Sequence, residues 1–231
     1  MAGRTSDWKE ELGHFLKPFL DRLGHKARRQ MCPLYVSGLI GPGDRKSIQP
    51  MAKRLALGEC DQCHHFIAVG VWDAAPVETE LLVQADRLVG GNDAVLVIGD
   101  TAIPKKGTHS VGVAPQYASA LGKTANCQTL VSLTLARGEV PVVLALRLFL
   151  PESWTSKRAR LERAGVPAEY RTARTKPEMA LAEIDRAITA GVRFGCVLAD
   201  AGYGLGAPFR QGLTARKLAC WAVGIPRHLK V

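Results

Sequence analysis

Two stretches, Val95-Leu96-Val97-Ile98-Gly99-Asp100 and Cys196-Val197-Leu198-Ala199-Asp200, each run apolar residues into a single aspartate. Short aliphatic runs of this kind read as buried strands. A carboxylate closing such a strand lies at the rim of a sheet, where ligand sites collect. Each aspartate taken alone is equally well a turn residue or the N-cap of a following helix. On neighbouring strands, however, the two form a pair of hard oxygen donors. Mg²⁺ is often held by one or two carboxylates together with substrate phosphates, so Asp100 and Asp200 are candidate metal ligands for phosphoryl transfer.

The charge balance suits that chemistry. The 231 residues carry 31 Lys and Arg against 21 Asp and Glu, a net charge of +10 that fits a polyanionic partner. A dense part is Lys157, Arg158, Arg160, Arg163, Arg171, Arg174 and Lys176. Such a run is either a solvated face or a set of phosphate contacts, which add affinity without sequence choice. Lys105 and Lys106, just past Asp100, have the same two readings.

With 47% hydrophobic residues the chain can bury a full core and is not a disordered polymer. No apolar stretch approaches the roughly 20 residues of a membrane helix, and Met1 to Glu11 is polar rather than signal-like, so a cytoplasmic, nucleoid-associated protein is expected. The cysteines, Cys32, Cys60, Cys63, Cys127, Cys196 and Cys220, show no regular spacing and are expected to be free thiols. Cys60-Asp61-Gln62-Cys63-His64-His65 offers zinc-type ligands, yet it lacks a second ligand pair downstream and continues into Phe66-Ile67 like an amphipathic helix. Gly202-Tyr203-Gly204-Leu205-Gly206 does not fit the dinucleotide fingerprint and reads as a flexible turn at the site's rim.

The chain has two parts. Residues 1–91 read as an α-helical N-terminal region. Trp8, Leu12, Phe15, Leu16, Phe19, Leu20 and Leu23 recur at helical spacing, a loop holds Gly38, Gly41, Pro42 and Gly43, and Asp44 or Ser47 caps a helix through Met51 and Leu55. Pro76 opens a further helix to Val89, and Gly90-Gly91-Asn92-Asp93 breaks it. From residue 92 the period changes. After the first strand come a Gly- and Lys-rich turn, a hairpin of Cys127–Ala136 and Val140–Leu150, a basic loop and a helix from Pro177 to Ala190 with Met179, Leu181, Ile184 and Ile188 inward. The strand ending in Asp200, a helix at Ala207–Arg216 and a strand at Ala219–Ile225 follow. This is the order of a ribonuclease H-like α/β fold, a mixed sheet flanked by helices, in which the two aspartate strands lie side by side.

The segments Ile98-Gly99-Asp100-Thr101-Ala102-Ile103-Pro104-Lys105-Lys106-Gly107, His109-Ser110-Val111-Gly112-Val113, Leu150-Pro151-Glu152-Ser153-Trp154 and Ala199-Asp200-Ala201-Gly202-Tyr203-Gly204 resemble the DDE superfamily endonuclease domain of insertion-sequence transposases. The resemblance implies a metal-dependent enzyme that cuts transposon ends and joins them to target DNA, using Mg²⁺ or Mn²⁺. Asp100 and Asp200 match the family's two aspartates as catalytic and metal-binding residues. Residues 92–231 are then the catalytic core, and residues 1–91 are expected to bind DNA ends. Lys105, Lys106, Lys157, Arg158, Arg160, Arg174 and Lys176 are the expected DNA contacts. Double-stranded DNA is the expected partner, with a homodimer or a pairing with full-length transposase beside it.

The family's third acid, a glutamate on a helix after the last core strand, has no match here. Glu139, Glu152, Glu162, Glu169, Glu178 and Glu183 all precede Asp200. The expectation is therefore an N-terminal transposase fragment with impaired activity, the alternative being a non-catalytic DNA-binding fragment that regulates full-length transposase. An aggregation-prone remnant and an unrelated metal-dependent phosphatase or nuclease are further readings. Trp154 either stacks on an unpaired base at a cleaved end or anchors its loop to the core. Arg227, His228 and Lys230 either approach the DNA backbone or form a basic tail.

Overall fold

The computed structural model describes residues 7–54, 60–69, 72–118 and 121–224. Leu55, Ile225, Arg227, His228 and Lys230 lie outside them, as does the side chain of Cys60. The chain forms two compact units, residues 1–81 and 82–231. Among the described residues no helix is long and apolar enough to cross a membrane.

The first unit is helical. α1 (Asp7–Arg22) buries Leu16 and Phe19, with Leu23 just beyond it, and ring contact between Phe15 and Phe19 continues that face. α2 (Lys26–Ile40) was not expected, and it takes in Gly38, which read as a loop residue. His25 caps it by accepting the Ala27 amide, and Gly38 is buried inside it. α3 (Ile48–Arg54) begins after Ser47, as expected. α4 (Cys60–His64) runs into a π-helical turn at His65–Val69, so the CxxC segment is helical. Cys63 is buried, while Gln62, His64 and His65 are exposed.

α5 (Ala75–Val89) crosses the division between the units. Its Leu82, Ala85 and Val89 belong to the core of the second unit. There, among the described residues, six strands form one sheet: β1 (Val95–Pro104), β2 (Ala114–Ala118), β3 (Lys123–Arg137), β4 (Val140–Leu148), β5 (Cys196–Ala199) and β6 (Trp221–Val223). The path is β2-β3-β1-β5-β6, with β4 on β3. β1 is antiparallel to β3 and parallel to β5, and β5 is parallel to β6. This is the ribonuclease H-like arrangement, with β2 added inside what the sequence suggested was a turn.

The hairpin closes through Gly138, whose φ of +56° suits a two-residue turn that disfavours side chains. A register shift opposite Leu133 and Thr134 lets both Leu144 and Ala145 face the core. Between hairpin and second aspartate strand, the expected basic loop is partly helical, with α6 (Glu152–Thr155), α7 (Arg158–Arg163) and a 3₁₀ turn at Ala168–Tyr170. α8 (Lys176–Thr189) is set by a capping box. Thr175 accepts the Glu178 amide, and the Glu178 carboxylate accepts the Thr175 amide at 2.7 Å. Its buried face is Met179, Ala180, Ile184 and Ala187, whereas Ile188, expected inward, is exposed.

α9 (Ala201–Gly204) and α10 (Ala207–Ala215) complete the unit. Phe209 and Leu213 of α10 join Ile184, Leu96, Ile98 and Val197 in one core. Free thiols were expected throughout, but Cys196 and Cys220 form a disulfide that ties the start of β5 to the residue before β6. Parallel neighbours bring their first residues together, here with Cα atoms 4.5 Å apart, which sequence separation alone concealed. Cys32 and Cys127 are free thiols.

Asp86 pins α5 to the turn before β5. It accepts the Arg193 amide at 2.8 Å and ion-pairs with the Arg193 guanidinium. Burial opposes its ionisation, but the Arg193 amide and guanidinium outweigh that and hold the carboxyl below its ordinary range. A group with a lowered folded-state pKa adds stability above its unfolded pKa and loses it as pH falls through the folded value. Asp86→Asn should therefore cost about 1–2 kcal/mol at neutral pH, and its difference from wild type should shrink below about pH 4. Urea unfolding of both proteins at pH 7 and pH 3 checks this.

Candidate active site

Alternation along β1 decides where Asp100 points. Leu96 and Ile98 are buried in the core beneath α8, and Asp100 continues that row one step further. The aspartate is not at the end of its strand, as the sequence suggested, because β1 continues to Pro104 paired with β3. Its parallel partner is shorter. The β1–β5 ladder ends at Ile98↔Ala199, so the β5 side of β1 opens where Asp100 stands and where Asp200 leaves β5.

Asp200 is also the N-cap of α9. Its Oδ1 accepts the Gly202 amide at 2.9 Å and the Tyr203 amide at 3.3 Å. The N-cap reading and the site reading thus both hold, since capping occupies one carboxylate oxygen. The Gly202–Gly206 segment is not a flexible turn. α9 packs so closely on the end of β6 that a Cβ on Gly204 would stand 2.6 Å from the Gly224 carbonyl oxygen.

Asp100 and Asp200 line one cleft of about 950 Å³. Arg174 and Lys176 line it as well, together with Glu152, Glu178 and Tyr203. Both oxygens of Asp100 have partners. The Tyr203 hydroxyl donates to Oδ1 at 2.6 Å, and the Lys176 ammonium pairs with Oδ2. The ammonium and the phenol on Asp100 compensate its charge from within the chain.

Tyr203 was missed as a site residue, although its glycine-flanked place after Asp200 was noticed. It is buried against Phe209, with ring centroids 5.5 Å apart. Burial, and then its bond to Asp100, push the phenol well above its ordinary pKa, so it remains a proton donor to the carboxylate. Glu178 spends its carboxylate on the capping box.

The donor chemistry of the cleft fits a hard divalent cation. Its two aspartates supply oxygen donors, and the space beside them admits water and phosphate oxygens. Among the described residues no group of three or more His, Cys, Asp or Glu side chains is placed to hold a metal ion.

The other expected basic contacts lie outside the cleft lining. Lys105 and Lys106 follow β1, where the Lys105 carbonyl accepts from Asn126. Lys157 and Arg158 are exposed at the start of α7, and Arg158 pairs with Glu162. Arg160 lies 3.6 Å over the Trp154 ring and donates to the Thr108 carbonyl. Trp154 itself is buried with Val113, Leu161 and Val166, its indole donating to the Val113 carbonyl at 2.8 Å. Of the two readings of Trp154, the structure supports the anchor.

Two outcomes follow from these contacts. Tyr203→Phe should lower stability by about 1–2 kcal/mol with an unchanged denaturant slope, measured by urea unfolding. Trp154→Ala should cost about 3–5 kcal/mol in the same measurement, the scale of a large aromatic removed from a packed cluster.

The same residues can be compared with known proteins. The family described as DDE superfamily endonuclease matches residues 18–231. The probable transposase for insertion sequence element IS701 from Microchaete diplosiphon is 30% identical over 167 residues, which are 72% of this chain and 41% of that protein. The chain thus spans less than half the length of that curated relative. The family match, in contrast, takes in all of the sheet and both aspartates, and on that ground the chain belongs to the DDE superfamily endonuclease family.

Proposed function

We propose that this chain carries the aspartate pair of a metal-dependent DNA strand-cleaving and strand-joining site, and that it serves transposition of an insertion sequence. The observation that carries the reading is the placement of Asp100 and Asp200 in one cleft at the edge of the β1–β5 ladder. The family match and the IS701 relative support the setting.

In this reading Asp100 offers Oδ2 and Asp200 the oxygen not used in capping. A bound Mg²⁺ or Mn²⁺ would lower the pKa of the attacking water or 3′-hydroxyl and stabilise the leaving oxygen. Tyr203 fixes the Asp100 carboxylate, and the short helix capped by Asp200 fixes the second aspartate. Arg174 and Lys176 bring positive charge to the side of the cleft where a DNA phosphate must enter. Lys105, Lys106, Lys157, Arg158 and Arg160 extend basic character beyond it, Arg160 with its guanidinium already engaged. In the first unit α2, with Lys26, Arg28 and Arg29, contributes to holding DNA ends.

A pair of carboxylates leaves a second ion poorly held, so the isolated chain is weakly active in this reading. That same observation favours a second role, a non-catalytic DNA-binding chain that occupies the ends or pairs with full-length transposase.

The test is a gel assay of DNA bearing the element's ends, with Mg²⁺ or Mn²⁺, for the wild type, Asp100→Ala and Asp200→Ala. Any cleavage should fall at least ~100-fold in each variant while DNA retention persists. Cleavage surviving in both variants contradicts the reading, and retention with no cleavage by any of the proteins selects the second role.

A further inference from the structure

Lys176 stands where a cation is least expected on its own helix. It is the first residue of α8, where the positive end of the helix dipole favours anions. The Thr175–Glu178 capping box fixes the backbone there, so the side chain's position is set by what it reaches. It reaches Asp100 Oδ2, with the Phe149 ring 5.5 Å from its ammonium. The ammonium has donors and no acceptor, so it treats the carboxylate as a metal ion would.

We propose that Lys176 is a built-in counter-ion that occupies the metal's place on Asp100 and must be displaced for a divalent cation to bind. The proposal rests on the reading of Asp100 and Asp200 as metal ligands. The two partners of Asp100 differ in mobility. Tyr203 is buried against Phe209 and stays, whereas the Lys176 side chain is 26% exposed on a flexible four-carbon stem and can leave. A divalent cation needs the same Oδ2 lone pairs, so the ammonium and the metal exclude one another. Once displaced, Lys176 remains beside Arg174 at the cleft wall, placed for a DNA phosphate. Metal binding and phosphate binding are then coupled through one side chain, and the cleft stays charge-compensated until both arrive.

Mn²⁺ binding to the whole chain, followed by electron paramagnetic resonance and without DNA, tests this. Lys176→Met should bind Mn²⁺ about tenfold more tightly than wild type, because a competing positive charge has been removed. Lys176→Arg should stay close to wild type, since it keeps a cation there. Asp100→Asn should abolish binding in both the wild-type and Lys176→Met backgrounds. The rise in melting temperature on adding Mn²⁺ should likewise be larger for Lys176→Met, which reads the same competition in protein whose folding is verified. Equal or weaker Mn²⁺ binding by Lys176→Met overturns the counter-ion role while leaving the metal site standing. Absence of Mn²⁺ binding in every protein, or binding that survives Asp100→Asn, overturns the metal site and with it the counter-ion.

Discussion

The parallel pairing of β1 with β5 is the constraint on which the rest depends. Its register, from Val95↔Cys196 to Ile98↔Ala199, is held by the alternation of the two strands. Leu96, Ile98 and Val197 must face the core, and a slip of one residue would turn them out of it. The ladder also stops at a defined point, so Asp100 and the end of β5 meet where backbone pairing gives way to a cleft. The disulfide between Cys196 and Cys220 secures the opposite end of β5 to its other neighbour. Three strands are thereby fixed together at one edge while the other edge carries the carboxylates.

Electrostatics then shape what those carboxylates do. Asp100 is half-buried and Asp200 is exposed, and the two carry like charge into one cleft. Here each member is answered differently. Asp200 leans on the amides of the helix it caps, and Asp100 is answered by a phenol and an ammonium. The first arrangement spends backbone groups that are present in any case. The second uses one side chain locked in the core and one at the cleft wall, which separates the fixed part of the site from the exchangeable part.

Much of this was legible in the sequence because the signals were local. The apolar runs ending in aspartate, Gly138 in the hairpin, Pro177 in the first turn of α8 and the strand–helix order all have short-range causes, and each gave its element. What was hidden depends on distant partners. α2 accommodates Pro33 and buries Gly38, so residues that punctuate loops elsewhere are covered by tertiary packing. β2 lies in a Gly-rich segment and forms because the long β3 offers it an unpaired edge. The Tyr203 hydroxyl and the Lys176 ammonium come from elements far along the chain from Asp100, and only folding brings them to it. Trp154 carries both an apolar body and a polar handle, so its role as an anchor waits on finding Val113 beneath it.

The most direct test of the account is an anomalous-scattering map from a crystal of this protein soaked in Mn²⁺. The account predicts a peak within about 2.0–2.3 Å of a carboxylate oxygen of Asp100, with Asp200 at the same cluster and the Lys176 side chain turned away from Oδ2. A map with no peak at Asp100, or with Mn²⁺ bound elsewhere while Lys176 keeps its place, would contradict it.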